Sequence, residues 1–279
     1  MEKITLSAHA KINWMLNITG LRPDGYHELD MLMQEIALSD TLTLTKSDAT
    51  ELHVNGELVR EPEKNLVFKA IKALEEYTGR TLCVRAELTK RIPSRAGLGG
   101  GSSDCASALN GINTLFNLRL DKNALAGIGL RLGADVPFFI YGGLCRVSGI
   151  GEGVSLKKDI QKLYLVIKLA GEGLSTPEVY RQYDKIKAHK YGISADEAAA
   201  LLIEGDFMTA LCKSVNMLEE PAVLLLPQIE EVKQELADAG AMFVRMTGSG
   251  SAVYGVFKSK QEAERACKLI PDSILTETI

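Results

Sequence analysis

The stretch that decides the fold is PSRAGLGGGSS at residues 93–103, in which four of the five residues 97–101 are glycine. Before it, apolar and polar residues alternate over residues 82–89, the pattern of a half-buried strand. After it, apolar residues recur at helical spacing from residue 103 to residue 115. The sequence therefore predicts a glycine-rich loop that joins a strand to a helix.

A loop of this kind is suited to binding phosphate. Glycine lets the backbone approach a ligand closely and adopt positive φ, and the first amides of the next helix carry partial positive charge. Ser102 and Ser103 add hydroxyls for a phosphate oxygen or a magnesium ion. The loop matches neither the Walker A pattern nor the dinucleotide fingerprint, whose third glycine falls on Ser102. The alternative is a flexible glycine turn, and the strand–loop–helix context favours phosphate.

Two charged residues in apolar surroundings are candidates for the chemistry. Lys11 lies in a predicted strand at residues 8–16, and Asp135 lies at a predicted turn before a buried strand or hairpin at residues 138–147. Each has a simpler interpretation, an edge lysine that reaches water and an aspartate that caps backbone amides. Placed together beside a γ-phosphate, they would hold each other ionised, accept a hydroxyl proton and steady the attacking oxygen. The sequence leaves open whether they meet.

The remaining pattern predicts a two-lobed α+β protein. Strands are expected at residues 41–45, 163–169, 242–246 and 252–257, and helices at residues 65–77 and 121–132. The sequence TGSGS at residues 247–251 joins the last two strands, either as a tight hairpin turn or as a second set of backbone donors facing the glycine loop. Glycines near residue 150 predict a boundary between domains at residues 1–150 and 151–279.

Composition narrows the class of protein. A net charge of −4 argues against a general nucleic-acid binder. The five cysteines include no C-x-x-C pair, which favours a reducing cytoplasm over a disulfide framework. The four histidines, His189 among them, show no zinc-site spacing, so no metal site made by protein ligands is predicted. The chain shows no secretory leader and no apolar run near the roughly 20 residues that span a bilayer, so no membrane partner is expected.

The motif around Lys11, the loop P-x-x-x-G-L-x-x-S-S and the late glycine turn, in this order, resemble the galactokinase–homoserine kinase–mevalonate kinase–phosphomevalonate kinase (GHMP) superfamily. The resemblance spans nearly the whole chain. It implies an N-terminal ATP-binding lobe, a C-terminal α/β-sandwich lobe and an active site in the cleft between them. It also implies phosphoryl transfer from ATP, with Mg²⁺, to a hydroxyl of a small molecule.

Within the superfamily, AKIN at residues 10–13, DGYHEL at residues 24–29, GLGGGSSD at residues 97–104 and GADVP at residues 133–137 resemble one branch. That branch phosphorylates the 2-hydroxyl of a cytidine diphosphate-linked methylerythritol in the non-mevalonate route to isoprenoids. The alternatives are a kinase for mevalonate-like, homoserine or sugar substrates, and a nonenzymatic nucleotide- or RNA-binding module. The acidic charge argues against the latter. The resemblance leaves a monomer or a homodimer open.

The resemblance also implies site residues. It assigns catalysis to Lys11, to Asp135 as the general base and to Asn13, which would orient the hydroxyl. ATP binding falls on Asn65 and on one continuous run: Ser94, Arg95, Ala96, Gly97, Leu98, Gly99, Gly100, Gly101, Ser102, Ser103 and Asp104. Substrate binding falls on residues from three motifs: Tyr26, His27, Thr176, Tyr180, Gly248 and Ser249. Tyr26 and Tyr180 are expected to sandwich the cytosine, and His27 to hydrogen-bond its edge.

Overall fold

The structure is a computed structural model that describes residues 2–186 and 190–279, so His189 lies outside the described residues. The strands are β1 (Lys3–Leu21), β2 (His27–Lys46), β3 (Glu51–Val54), β4 (Glu57–Leu58), β5 (Val84–Thr89), β6 (Leu144–Gly149), β7 (Gly153–Leu156), β8 (Tyr164–Leu169), β9 (Phe243–Met246), β10 (Ala252–Phe257) and β11 (Ile274–Glu277). The helices are α1 (Leu66–Thr78), α2 (Gly100–Leu115), α3 (Lys122–Leu130), α4 (Val136–Tyr141), α5 (Thr176–Tyr183), α6 (Ala195–Glu204), α7 (Phe207–Lys213), α8 (Glu219–Leu225), α9 (Gln228–Asp238) and α10 (Lys260–Leu269). A short 3-10 turn (Pro62–Lys64) precedes α1.

The chain forms two compact units, and neither is continuous in sequence. The first unit consists of Met1–Ala10, Leu38–Pro93 and Gly99–Gly142. The second unit consists of Lys11–Ala37, Ser94–Leu98 and Gly143–Ile279. The long strands β1 and β2 therefore contribute residues to both units, and so does the glycine loop. The division into domains at residues 1–150 and 151–279 stays a prediction.

In the first unit, helix α2 packs against a sheet. The carboxyl-terminal part of β2 pairs antiparallel with β5, β3 lies parallel to β5, and β4 pairs with β3. The alternation predicted for residues 82–89 is confirmed, because Val84, Ala86 and Leu88 of β5 are buried. A Cβ on Gly111 of α2 would lie 2.7 Å from a Leu44 methyl, so only glycine lets the helix pack this closely on the sheet.

In the second unit, the amino-terminal part of β2 pairs antiparallel with β6, and β6 pairs with β7. A separate antiparallel sheet has the strand order β11-β8-β10-β9. The strands predicted at residues 163–169, 242–246 and 252–257 are confirmed as β8, β9 and β10. Strand β10 is buried along its whole length, and α9 and α10 pack against this sheet.

The prediction of a strand or hairpin at residues 138–147 is wrong over its first half. Residues Val136–Tyr141 form helix α4, and only Leu144–Gly149 form a strand. A short, continuous apolar run fits a buried helix as well as a buried strand, so its period could not separate them. Gly142 and Gly143 both have positive φ and end the helix before β6. Asp135 consequently lies between two helices, α3 and α4, and not before a strand.

Candidate active site

Helix α2 begins at Gly100, three residues earlier than its periodicity predicts, so the last glycines of the loop are helical. Gly99 turns the chain with φ of 73°, and the amide of Ser103 donates the first helical hydrogen bond to Gly99 O at 2.9 Å. The amides before Ser103 therefore have no partner within the helix, and no side chain caps them. This helix start in the first unit has the unused amide donors that phosphate binding requires.

Asp135 stands at the start of α4 in the same unit and is partly exposed. Its side chain makes no capping hydrogen bond to the described helix, so the interpretation as an amide cap is wrong. A Cβ on Gly133, two residues earlier, would lie 3.6 Å from Ser102 Oγ. The turn that carries Asp135 is therefore adjacent to the start of α2.

Lys11 and Asn13 form a buried pair in the second unit. Lys11 is 4% exposed, and its Nζ donates to Asn13 Oδ1 at 2.6 Å, so the interpretation as an edge lysine that reaches water is wrong. Thr247 Oγ1 accepts from the backbone amide of Asn13 at 3.0 Å and donates to the side-chain oxygen Asn13 Oδ1 at 3.3 Å. The Tyr254 hydroxyl donates to the Asn13 carbonyl at 3.0 Å. These bonds fix the Asn13 side chain with its oxygen toward Lys11.

The glycine turn at residues 247–251 packs against the centre of the glycine loop, residues 94–98, within the second unit. A Cβ on Gly97 would lie 2.3 Å from Thr247 O, and a Cβ on Gly248 would lie 3.2 Å from Lys11 Nζ. The amide of Lys11 also donates to Leu98 O at 3.0 Å. Strand β1, the loop centre and the turn thus meet at positions where a side chain in place of glycine would be crowded.

A cluster of rings surrounds His27. The Tyr180 ring stacks on the His27 ring at 4.8 Å between centroids, and the Tyr183 ring meets it edge-on at 5.7 Å. His27 Nε2 lies 2.8 Å from Asp184 Oδ1. This contact holds the His27 ring against the carboxyl group of a residue in the turn that follows α5. Tyr26 is exposed, and its sandwich with Tyr180 around cytosine stays a prediction.

Two other predicted substrate residues touch each other. Thr176 Oγ1, at the start of α5, lies 2.8 Å from Ser249 Oγ of the glycine turn. Sequence reasoning assigned both to substrate binding without pairing them. It gave no role to Thr247 or Asp184, whose partners lie far away in the chain.

Three charged side chains lie behind the start of α2, of which Asp40 and Asp104 are buried and Lys90 is half-buried. Lys90 Nζ donates to Asp104 Oδ2 at 2.6 Å and also to Asp40 Oδ2. Burial raises the pKa of the Asp104 carboxyl to about 7, against the opposing effect of the Lys90 ammonium. Burial alone would lower the pKa of Lys90, but the two carboxylates raise it above its ordinary value. Asp104, predicted to contact ATP, is therefore directed toward Lys90.

The other predicted ATP residues have defined local roles. The Asn65 side chain caps α1 by accepting from the Val67 amide at 2.8 Å. Ala96 and Leu98 are buried, and their carbonyls accept from the backbone amides of Ala252 and Lys11, so their contact with a nucleotide stays a prediction. Lys11 belongs to the second unit and Asp135 to the first, and their convergence stays a prediction.

The described residues contain no group of three or more His, Cys, Asp or Glu side chains that could hold a metal ion. Mg²⁺ in nucleotide sites usually takes one or two protein ligands and completes its shell with phosphates and water. The Ser102 hydroxyl near the start of α2 fits that mode. None of the helices in residues 2–186 and 190–279 combines the length and apolarity that crossing a bilayer requires.

Comparison with known proteins identifies the family of this chain. The profile of the GHMP kinases N terminal domain matches residues 65–143, and the GHMP kinases C terminal profile matches residues 198–269. The 4-diphosphocytidyl-2-C-methyl-D-erythritol kinase of Alkaliphilus metalliredigens is 37% identical over 268 residues, covering 95% of this chain and 92% of the relative. The enzyme of the same name from Moorella thermoacetica is 37% identical over the full length of both chains. The chain belongs to the 4-diphosphocytidyl-2-C-methyl-D-erythritol kinase family of GHMP kinases.

Solved structures support the family and the fold. A crystal structure of a 4-(cytidine 5'-diphospho)-2C-methyl-D-erythritol kinase matches with a TM-score of 0.83 and 31% identity, covering 99% of each chain. A homoserine kinase from Cytophaga hutchinsonii matches with a TM-score of 0.72 at 19% identity, which is a likeness of fold. The predicted α+β GHMP kinase fold and the prediction of a kinase are confirmed.

Proposed function

We propose that this kinase transfers the γ-phosphoryl group of ATP to the 2-hydroxyl of 4-diphosphocytidyl-2-C-methyl-D-erythritol, in the non-mevalonate route to isoprenoid precursors. The observation that carries the proposal is the buried Lys11 ammonium, which Asn13 orients at 2.6 Å beside the glycine turn. An ammonium held in this position would stabilise the negative charge that builds up during phosphoryl transfer. The names of relatives that match along nearly the whole chain support the choice of acceptor.

In this proposal the start of α2 binds the triphosphate through its unused amides. Asp135 takes the proton of the 2-hydroxyl, Asn13 orients that hydroxyl, and Lys11 offsets charge on the attacking oxygen and the γ-phosphate. The Ser102 hydroxyl would help to hold Mg²⁺ at the triphosphate, and the ion would neutralise part of the phosphate charge. Positioning and electrostatics account for most of the acceleration, as in other phosphoryl transfers.

The cytidine end of the acceptor would bind at the cluster around His27. Exposed Tyr26 and the Tyr180 ring offer two flat faces, and a base gains roughly 1–3 kcal/mol per aromatic face. His27, fixed by Asp184, would meet the edge of the base. The paired hydroxyls of Thr176 and Ser249, with Gly248, would contact the remainder of the substrate.

Asp135→Asn tests the assignment of the base. The amide keeps the shape of the side chain and loses its basicity, so kcat should fall by about 100-fold or more while ATP affinity stays close to that of the wild type. Steady-state kinetics and calorimetric titration with ADP measure the two quantities. A variant that turns over at a near-normal rate would contradict the role of Asp135.

The acceptor is tested by an ADP-release assay with the cytidylyl substrate, mevalonate and homoserine side by side. Phosphorylation of mevalonate or homoserine in place of the cytidylyl substrate would assign the chain to another GHMP activity. ATP binding with no transfer to any acceptor would instead favour a nonenzymatic nucleotide-binding module.

We propose that the enzyme works in the cytoplasm. It would act there as a monomer or homodimer, without a nucleic-acid partner. Among the described residues, none of the five cysteines forms a disulfide, as expected of a protein in a reducing compartment. Gel filtration at several protein concentrations would distinguish the monomer from the dimer.

A further inference from the structure

The two ends of the glycine loop are joined by one group of charges, here called the Lys90 clamp, in which the half-buried Lys90 lies between the buried Asp40 and Asp104. Asp40 is fully buried, and its Oδ1 accepts from the amides of Arg91 and Ile92, at 2.8 Å for Ile92. Its Oδ2 accepts from Lys90 Nζ, which also donates to Asp104 at 2.6 Å. Lys90 precedes the loop and Asp104 follows it, so the clamp connects both ends within the first unit.

The backbone at the clamp is closely packed as well. A Cβ on Gly100, the first residue of α2, would lie 3.0 Å from Ile92 Cγ2 and 3.4 Å from Lys90 Nζ. The start of the helix therefore lies directly on the residues that lead into the loop, and the Lys90 ammonium lies directly behind the amides that would bind phosphate.

The charges of the clamp are expensive for a purely structural contact. An ammonium near the amino end of a helix is repelled by the helix dipole, so the two carboxylates are needed to hold Lys90 there. Asp104 Oδ1 is buried and has no hydrogen-bond partner among the described residues. Buried ion pairs of this kind are often no more stabilising than apolar packing, which points to a role in function.

We propose that the Lys90 clamp positions the phosphate-binding loop: Asp40 and Asp104 act through Lys90 to hold the amides at the start of α2 in the geometry that binds the triphosphate of ATP. The inference rests on the proposed function, and it makes Asp104 a positioning residue. The clamp orders the loop during folding, so that nucleotide binding does not have to supply the entropy cost of ordering it. Loss of the clamp should therefore weaken ATP binding and leave the chemical step of the bound complex unchanged.

Asp104→Ala severs the tie between Lys90 and α2 while Asp40 and Lys90 stay paired. We expect the KM for ATP and the Kd for ADP to rise about tenfold, with kcat and the KM for the acceptor within about twofold of the wild type. Asp104→Asn keeps an oxygen for Lys90 and should restore most of the affinity. The matched control is Cys105→Ala, which removes buried atoms from the next residue of α2 and should leave nucleotide affinity unchanged.

The proposal is wrong if folded Asp104→Ala binds ADP as tightly as Cys105→Ala does, or if the KM values for ATP and acceptor rise together. Should Asp104→Ala fail to fold, Lys90→Arg replaces it: the larger, planar guanidinium places its donors differently from the compact ammonium in this closely packed position, and a rise in the Kd for ADP of about threefold or more is expected. An unchanged Kd for folded Lys90→Arg would likewise overturn the proposal. Calorimetry with ADP needs no acceptor, so a wild type that binds ADP and ignores the cytidylyl substrate contradicts the proposed function alone.

Discussion

The glycine loop at residues 93–103 and the glycine turn at residues 247–251 use glycine in different ways. In the loop, Gly99 turns the chain into α2 so that the first amides of the helix have no internal partner. In the turn, several backbone groups are occupied within the protein, since Asn216 Nδ2 donates to Gly248 O at 2.9 Å and the Gly250 amide donates to Thr247 O at 3.0 Å. In the proposed function the first segment offers backbone amides to a ligand, and the second places side chains.

The difference shows what a glycine cluster in a sequence does and does not mean. Both clusters follow a strand, and both have glycines with positive φ. Only the free hydrogen-bonding groups separate a segment that binds a ligand from one that supports a site. Thr247 illustrates the second case, because its hydroxyl holds the side chain and the backbone amide of Asn13.

The largest expected effect comes from Gly97→Ala, at the point where the two segments touch. Gly97 has φ of 75°, and the new methyl would lie 2.3 Å from Thr247 O, a backbone atom that cannot move alone. We expect the free energy of unfolding to fall by about 2–4 kcal/mol, measured by urea denaturation.

Gly127→Ala is the matched control. Gly127 lies in α3 with no atom near the position of a new Cβ, so this variant should gain about 0.5–1 kcal/mol through helix propensity. Equal stability of the two variants would show that Gly97 is not tightly packed against the turn.

A smaller effect is expected from Thr247→Val, which removes the hydroxyl and keeps the shape. The Asn13 backbone amide then loses its partner, and the Asn13 side chain loses one of its three hydrogen bonds. We expect kcat to fall about tenfold with little change in the KM for ATP, because in the proposed function the turn places Lys11 and Asn13 while the loop binds the nucleotide. Thr247→Ser, which keeps the hydroxyl, should behave like the wild type, and a Ser variant as slow as the Val variant would refute this role.

The smallest expected effect is a dependence of the unfolding free energy on pH, which we expect for Asp104 at the end of the loop and not for the turn. Native Asp104 has a pKa of about 7, whereas an unfolded aspartate titrates near about 3.9. Between these values the native state holds a proton that the unfolded state lacks, so this contribution to stability falls as pH rises. The difference in unfolding free energy between wild type and Asp104→Asn should fall by about 1 kcal/mol or more from about pH 5 to about pH 8.

Thr247→Val supplies the contrast, since no titratable group is removed from the turn. Its difference from the wild type should stay constant over the same pH range in the same denaturation experiment. A difference for Asp104→Asn that is equally flat would show that Asp104 does not hold its proton in the folded protein.

The local parts of this enzyme follow from the sequence. The alternation that became β5, the apolar spacing of α1 with its Asn65 cap, and the strand–loop–helix order around residues 93–103 are all short-range patterns. They depend on backbone preferences and on the burial of one face, both of which neighbouring residues determine. The motifs quoted with them were enough to indicate the GHMP family.

The arrangement of side chains at the site follows only from the tertiary structure. Asn13 and Thr247 are 234 positions apart, His27 and Asp184 are 157 apart, and Lys90 and Asp40 are 50 apart. No periodicity predicts such pairs, because topology brings the partners together after each element has formed. Helix α4 was likewise not predicted. Its short apolar run fits a helix or a strand, and in the structure the helix packs against α2 and α3. The sequence determined which segments carry the chemistry, and folding decided which of their atoms meet.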